Sequence, residues 1–359
     1  MPYTTIAFNT LQSFCLEVFS RLGFTKTQSA IISDVLLRAD LYGIESHGIQ
    51  RLIRYETDIS RGMIYPQRSP VVVWETPISA VIDGNEGMGQ LIAHHAMQVA
   101  ITKAQNSGIG MVTVRNSNHY GIAGYYAKMA CDEGLIGMSF TNSSPLMVPT
   151  FAKVAALGSN PIALCAPAKP YPLLFDASTA VITRGKVEVY NKNNKALDDG
   201  WAVDEEGAPS NDAARVLAAM RQKQGGILPL GGGEEATGGH KGYGFAMISE
   251  FFSSVLALGE TSNHTYEGLH CGVCHGFIAL NPNLFGDPKA IEEHLSVLMQ
   301  ELRDLPKAEG KGRIYTHGEK EIEAMERCMR EGIPVNDSTV AELTGIAKRL
   351  GVEGSFLGK

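Results

Sequence analysis

The chain has 359 residues, 44% hydrophobic and 8% aromatic, which is enough apolar matter for one large core or two modest ones and argues against disorder. Its 38 acidic residues outnumber 31 basic ones, for a formal charge of -7, so it lacks the basic stripe that a phosphate backbone requires and nucleic acid is not an expected partner. No stretch reads as a cleavable leader or as about 18 uninterrupted apolar residues, so a cytoplasmic protein without membrane contact is expected.

The first seventy residues read as helices. Leu11, Phe14, Cys15, Val18, Phe19 and Leu22 recur at the three-four spacing of one buried face, and Gly23 follows as a stop. A second helix is expected from an N-cap at Thr27 to Gly43, and a third from Ser46 to about Gly62. From Pro70 the period changes: "VVVWE" and "SAVIDG" read as adjacent strands. Then come the helix "GQLIAHHAMQVAITKAQNSG", the strand "IGMVTVRN", the helix "AGYYAKMACDEG", the strand "LIGMSFTN" and the apolar runs "PIALCAPA" and "PLLFDAS". A Gly/Glu-rich loop feeds the helix "FAMISEFFSSVLALG", "GFIALNP" is one more strand, and three helices close the chain near 289–305, 318–331 and 338–350. This pattern predicts an α/β protein with a mixed sheet. Its helical domain would be discontinuous, residues 1–70 with 288–359, around a central domain of residues 71–287.

Six scattered cysteines fit reduced thiols better than a disulfide scaffold. Only "HCGVCH" (270–275) resembles a metal cluster, and one Cys-x-x-Cys with two tight histidines is short of a tetrahedral set. It reads as a surface turn leading into a strand, and no metal is expected.

On a helical wheel started at His47, Arg51 and Tyr55 fall on one side, while Ile49, Leu52 and Ile53 fall on the other. Ser46 and His47 at a helix start would welcome an anion, and Arg51 offers a planar fork for a carboxylate. The same residues also read as an N-cap serine, a surface arginine and a tyrosine at a seam. His119, between a strand and a Gly-rich helix start in "RNSNHYGIAGYYA", stands where a rigid scaffold positions catalytic groups, and its ordinary pKa suits proton exchange near neutrality. The alternative is a core-edge histidine bonded to a carbonyl. "GGHKGYGFAMI" surrounds Lys241 with glycines before a helix, and "THGEKEIEAM" sets His317 and Gly318 at another helix start. The chain contains neither G-x-G-x-x-G nor a P-loop, so a dinucleotide would bind without the standard Rossmann turn.

In order, "SHGIQRLIRY", "RNSNHYGIAGYYA", "TNSSPLMVPTFA" with "LGSNPIALCAP", "FDASTAVITRGKVEV", "GWAVDEEGAPS" and "HKGYGFAM" resemble the blocks of the malate/L-lactate dehydrogenase family of type 2. The resemblance implies an NAD- or NADP-dependent 2-oxoacid reductase with its own cofactor fold, and typically a homodimer with the active site near the subunit and domain interface. Carried over by position, His119 matches the acid/base histidine and His47 the second active-site histidine. Ser46, Arg51 and Tyr55 match the substrate-contacting stretch. Ser143, the run Asp176, Ala177, Ser178 and Thr179, the pair His240 and Lys241, and the segment His317, Gly318 and Glu319 match cofactor-binding stretches. The family usually has proline where His317 stands, which bears on the cofactor's far end and on NAD against NADP. The implied substrate is a small 2-oxo or 2-hydroxy acid, malate/oxaloacetate or lactate/pyruvate first, with ureidoglycolate, diketogulonate or a cyclic imino acid as the alternatives within the family. A second carboxylate on the substrate would need another cation, for which Arg54 and Arg115 are the candidates. A metal-dependent hydrolase or lyase and a silent small-acid binding protein are the readings from other classes.

Overall fold

An amphipathic helix must bury its apolar stripe, and here the two ends of the chain bury theirs together. The computed structural model describes residues 3–358. It opens with β1 (Tyr3–Ile6), α1 (Phe8–Arg21) and α2 (Lys26–Leu41). The α2 cap is Thr25 rather than Thr27: its hydroxyl accepts the Gln28 N–H while Gln28 Oε1 accepts the Thr25 N–H, a reciprocal box that places Thr27 inside the first turn. The helix expected from Ser46 is not continuous. Two three-residue 3-10 turns, Glu45–His47 and Ile49–Arg51, precede α3 (Leu52–Ser60). The interruption at Gly48 has a local cause, because the buried Asp40 carboxylate accepts the Ile49 N–H at 2.7 Å and leaves no room for a side chain beside it. A Cβ on Gly48 would lie 1.9 Å from Asp40 Oδ1.

The middle of the chain builds one mixed sheet. β2 (Val71–Glu75), β3 (Ser79–Asp83), α4 (Gly89–Ser107), β4 (Ile109–Ser117), α5 (Ala123–Asp132), β5 (Ile136–Thr141), β6 (Ile162–Ala166) and β7 (Leu173–Ala177) follow in order. Next come α6 (Arg184–Lys192), β8 (Ala202–Val203), α7 (Ala213–Arg221), β9 (Gly226–Ile227), α8 (Gly239–Glu250) and β10 (Val273–Leu280). The order across the seven-stranded sheet is β2-β3-β4-β10-β5-β6-β7, with β3 and β4 parallel and every other pair antiparallel. This is a mixed α/β architecture, not a doubly wound Rossmann sheet. Helices α4 and α5 lie close on it: a Cβ at Gly110 would meet the Ala100 carbonyl at 1.9 Å, and one at Gly137 the Ala127 carbonyl at 2.1 Å.

α6, α7 and the β8-β9 ribbon carry a separate small core of Val187, Val216, Leu217 and Ile227. Their sequence offers no long run: α6 is polar and each ribbon strand has two residues. "HCGVCH" does lead into a strand, but Cys271, Cys274 and His275 are buried, so the surface turn expected there is replaced by sheet core. Finally α9 (Pro288–Asp304), α10 (Glu319–Glu331), β11 (Ile333–Asn336) and α11 (Asp337–Leu350) return the chain to its start. β11 pairs with β1, and Leu343 and Ile346 share a buried cluster with Leu11, Phe14, Leu36 and Tyr55. Among the described residues no helix is long and apolar enough to cross a membrane.

Candidate active site

His119 sits on the turn between β4 and α5, and that turn is held from several sides. Asn118 Nδ2 donates to the Gly87 carbonyl at 2.8 Å, and the Asp176 carboxylate, near the end of β7, accepts the Gly124 N–H at 2.7 Å. From α3 the hydroxyl of Tyr55 reaches His119 Nδ1 at 2.8 Å, and the Gly121 N–H points at the same nitrogen from 3.4 Å. Because a backbone N–H only donates, Nδ1 is the acceptor, and the neutral ring carries its hydrogen on Nε2. His47 stacks on this ring, centroids 5.5 Å apart and planes 24° from parallel, with its Nδ1 2.9 Å from Ser46 Oγ. Arg51 Nε donates to the Ser46 carbonyl at 2.6 Å, which turns the rest of its fork away from the backbone.

The five residues assigned from the sequence to acid/base and substrate roles thus come together, although the regular helix that suggested it does not exist. Tyr55 differs from its expected place. Its ring is fully buried with Leu52, and only the hydroxyl emerges, onto His119.

A cleft of about 730 Å³ opens beside Ser46 and Arg51 and runs along α6 past Lys186 and Tyr190. Burial, then Arg54, His47 and Arg51, hold the His119 imidazole well below its ordinary value of 6.5. Burial with Arg51 and Arg54 lowers His47 to about 4. Both rings are therefore neutral at pH 7, and the fixed charges that act on both are the guanidiniums of Arg51 and Arg54. That environment attracts an acid, and a bound anion offsets the cations and returns the histidines toward their ordinary basicity.

The stretches assigned to a cofactor fall in three places. Ser143, Ser178 and Thr179 converge on Ser159: the Ser159 N–H donates to Ser143 Oγ at 3.1 Å, and the Ser178 and Thr179 hydroxyls donate to the Ser159 carbonyl at 3.1 and 3.0 Å. His240 and Lys241 are exposed on the first turn of α8, joined to this group because Leu230 N–H donates to the Thr179 carbonyl. The glycines around Lys241 serve packing: Cβ atoms at Gly239 and Gly242 would lie 2.0 and 2.2 Å from the Gly232 and Leu230 carbonyls. A cavity of about 500 Å³ walled by Val181, Trp201, Leu228 and Thr237 adjoins them.

Asp176 and Ala177 end β7, and His317 lies alongside that strand, its carbonyl accepting the Leu174 N–H and its ring 5.3 Å from Phe175. Gly318 caps α10 in the left-handed region, φ 105°. Glu319 is fully buried and accepts from the Thr316 N–H and hydroxyl, Arg303 and Arg313, so its carboxylate anchors α9 to α10. Clustered hydroxyls and an exposed ammonium at a helix start are a donor set that fits a dinucleotide's ribose and phosphate oxygens.

Two participants were not foreseen. Asp40 shapes the turn that carries His47, and burial pushes its carboxyl up to about 8. Its signal was the spacing in "ADLYGIESHG", an acid shortly before the histidine turn. Ser159, at the hub of the hydroxyl group, lies in "LGSNPIALCAP", and membership of that block was its one signal. Around 270–275 the polar atoms already have partners: His270 Nδ1 faces Glu86 at 2.9 Å, while His275 bonds Thr141 and Ser117 through its two nitrogens.

The family model for malate/L-lactate dehydrogenase matches residues 6–344. A malate dehydrogenase of Pyrococcus abyssi is 42% identical over 354 residues, 98% of this chain and 96% of its own. An L-sulfolactate dehydrogenase of Methanocaldococcus jannaschii is 35% identical, over 94% of each chain. The crystal structure of a malate dehydrogenase from Entamoeba histolytica superposes with a TM-score of 0.94 at 34% identity, covering 98% of this chain and 99% of that one. With its mixed sheet, its paired histidines and this match along nearly its whole length, the chain belongs to the malate/L-lactate dehydrogenase family and is a nicotinamide-dependent oxidoreductase.

Proposed function

We propose that this chain interconverts a small 2-oxo acid and its 2-hydroxy acid, malate/oxaloacetate foremost and lactate/pyruvate next. The observation that carries the reading is the stacked His47–His119 pair with the Arg51 fork beside it. When bound, a reduced nicotinamide would supply hydride chemistry at the carbonyl carbon. Arg51 binds the substrate carboxylate, and His119, protonated on both nitrogens once that anion restores its basicity, gives its Nε2 proton to the carbonyl oxygen and is left neutral with its hydrogen on Nδ1, facing the Tyr55 hydroxyl, so that no alkoxide accumulates. His47, fixed by Ser46, orients that oxygen. Tyr55 acts through His119. In the reverse direction His119 takes the hydroxyl proton. Alignment of this kind lowers a barrier by about 7 to 11 kcal/mol in the best cases.

Ser143, Ser178, Thr179, His240 and Lys241 would hold the cofactor, and Asp176 and His317 would border its other end. NAD and NADP both suit this donor set, and KM values for NADH and NADPH measure the preference.

The protein is proposed to be a cytoplasmic homodimer. The six free thiols support a reducing compartment. Exposed apolar residues on β2 and in the segment that follows α8, with Trp74 67% and Leu258 85% accessible, support a subunit contact. The test is nicotinamide absorbance against a panel of 2-oxo acids. Oxidation with oxaloacetate or pyruvate is expected; none with any acid, on folded protein, would overturn the reading.

A further inference from the structure

Glu250 is a buried acid that no step of the reaction above uses. It closes α8, the helix whose first turn carries His240 and Lys241, and its carboxylate accepts five hydrogen bonds from neutral groups. Oε1 takes Asn142 Nδ2 at 3.2 Å, Ser254 Oγ at 2.8 Å and the Ser262 N–H at 2.8 Å. Oε2 takes Asn160 Nδ2 at 2.7 Å and Ser262 Oγ at 2.6 Å. Among the described residues no cation bonds it, so these neutral donors must offset its removal from water.

Two of the partners adjoin the hydroxyl group assigned to the cofactor. Asn142, just after β5, precedes Ser143, and Asn160, just before β6, follows Ser159. The two segments run so close that a Cβ on Gly158 would lie 2.3 Å from Ser143 Oγ. The residue before Glu250 stitches the same pair, since Ser249 Oγ reaches the Thr141 and Pro161 carbonyls at 3.2 Å each. Asn160 is held hardest. It sits at φ 33°, short of the left-handed well at about +50° to +70°, so surrounding contacts must keep it there. Its Nδ2 also donates to the Ala246 carbonyl, its Oδ1 accepts Ser262 Oγ at 3.2 Å, and its carbonyl accepts the Thr179 hydroxyl at 3.2 Å. The turn at Asn160 therefore sets where Thr179 meets Ser159.

The helix end is itself fixed. One π turn, Phe251–Val255, follows Glu250 and lies against β10 so tightly that a Cβ on Gly276 would meet the Phe252 carbonyl at 2.1 Å. The Ser253 and Ser254 hydroxyls donate to the Ser249 and Glu250 carbonyls at 2.7 and 3.1 Å.

We propose that Glu250 is a positioning residue for the nicotinamide cofactor. It fixes the spacing of the Ser143 and Ser159 segments and the turn at Asn160, so that the hydroxyls of Ser143, Ser178 and Thr179 stay assembled to receive the nucleotide. It acts through Asn142 and Asn160, and the inference rests on the cofactor placement proposed above. Replacing the carboxylate by a carboxamide of the same size leaves one acceptor oxygen and turns an NH2 group toward donors, which breaks the ties without opening a void.

The experiment measures binding of NADH and NADPH to the full-length protein by fluorescence, with amide exchange and thermal unfolding on the same samples. Glu250→Gln is expected to raise the Kd of the better-bound nucleotide about tenfold or more, with the acid's KM at saturating nucleotide held within about twofold. Asn160→Gly permits the turn but removes the tie, and is expected to raise that Kd about threefold to tenfold. Ser254→Ala removes a Glu250 partner that lies on the helix itself, and is expected to lower Tm while leaving Kd within about twofold. In the wild type, nucleotide is expected to slow exchange at the Ser159 amide and also at the Ser262 amide, which is bonded to Glu250. A Kd in Glu250→Gln within about twofold of wild type overturns the inference, and so does an equal rise in Ser254→Ala, because the carboxylate is then only a brace. A Ser262 amide that exchanges equally fast with and without nucleotide overturns it even if no variant folds. In each of these cases protection of Ser159 by nucleotide leaves the cofactor placement standing, whereas nucleotide that does not bind, or binds without protecting Ser159, removes both.

Discussion

His119 and His275 are both withdrawn from bulk water near the same end of β4, yet the fold gives them opposite tasks. His275 is fully buried, bonded to Thr141 Oγ1 and Ser117 Oγ at 2.8 Å each, and stacked 4.4 Å from the Tyr120 ring, planes 3° apart. Both of its nitrogens are occupied, and burial lowers it to about 3. His119 is half-buried, and only Nδ1 is taken, by Tyr55 and Gly121. A histidine does chemistry when one nitrogen is fixed and the other is left for substrate; with both fixed it is a polar brace for the sheet.

The contrast breaks most sharply on replacement. His119→Ala should lower kcat by about a hundredfold to ten-thousandfold while nucleotide binding, followed by fluorescence, persists. Unchanged turnover would move the proton to His47. Gly48→Ala forces a methyl into the Asp40 carboxylate and should cost about 3 kcal/mol in urea unfolding, with loss of turnover as the His47 turn shifts. His275→Ala leaves the Ser117 hydroxyl unpaired and empties the space of a buried ring, and should cost about 2 kcal/mol of stability, read as a drop in Tm, without a change in the KM for the acid. Arg51→Lys keeps the charge but not the fork, and should raise the acid's KM about tenfold with little change in kcat.

The finest distinction is in pH. His275 titrates at about 3 in the folded chain against 6.5 ordinarily, so the unfolded chain binds the extra proton. Its contribution is complete above pH 6.5 and declines by up to about 1.4 kcal/mol per unit as pH falls toward 3. Asp40 has the reverse sign: raised from 3.8 to about 8, it stabilises fully below 3.8 and its contribution declines as pH rises through 8. Urea midpoints against pH for His275→Gln and Asp40→Asn should each lose one limb. A profile unchanged in both variants would contradict these assignments.

Much of the site was legible because it is local. Ser46, His47 and Arg51 lie within six residues, and any tight turn there keeps them neighbours, so the meeting survived the failure of the helix that predicted it. The angular detail did not survive, since a wheel assumes an uninterrupted spiral and Gly48 breaks it against a carboxylate eight residues earlier. Tyr55 was misplaced for that reason. Glu319 shows a different limit. The resemblance sets it in a cofactor-binding stretch, and only the approach of Arg303 and Arg313 reveals its carboxylate as an anchor between helices. The small α6–α7 lobe escaped because its core is assembled from short pieces with no period of their own.

The order of amphipathic helices and apolar strands, the reactive residue types and their attachment to particular turns were determined by the sequence itself, because periodicity and turn chemistry act over a few residues. Tertiary structure decided that β10 enters the sheet between β4 and β5, and that His275, 158 positions from Ser117, becomes core. It also decided that Arg54 meets Tyr266 across 212 residues. Which nitrogen stays free and which acid is buried depend on groups brought together only by folding, since burial and Coulomb interactions follow distance in space rather than distance along the chain.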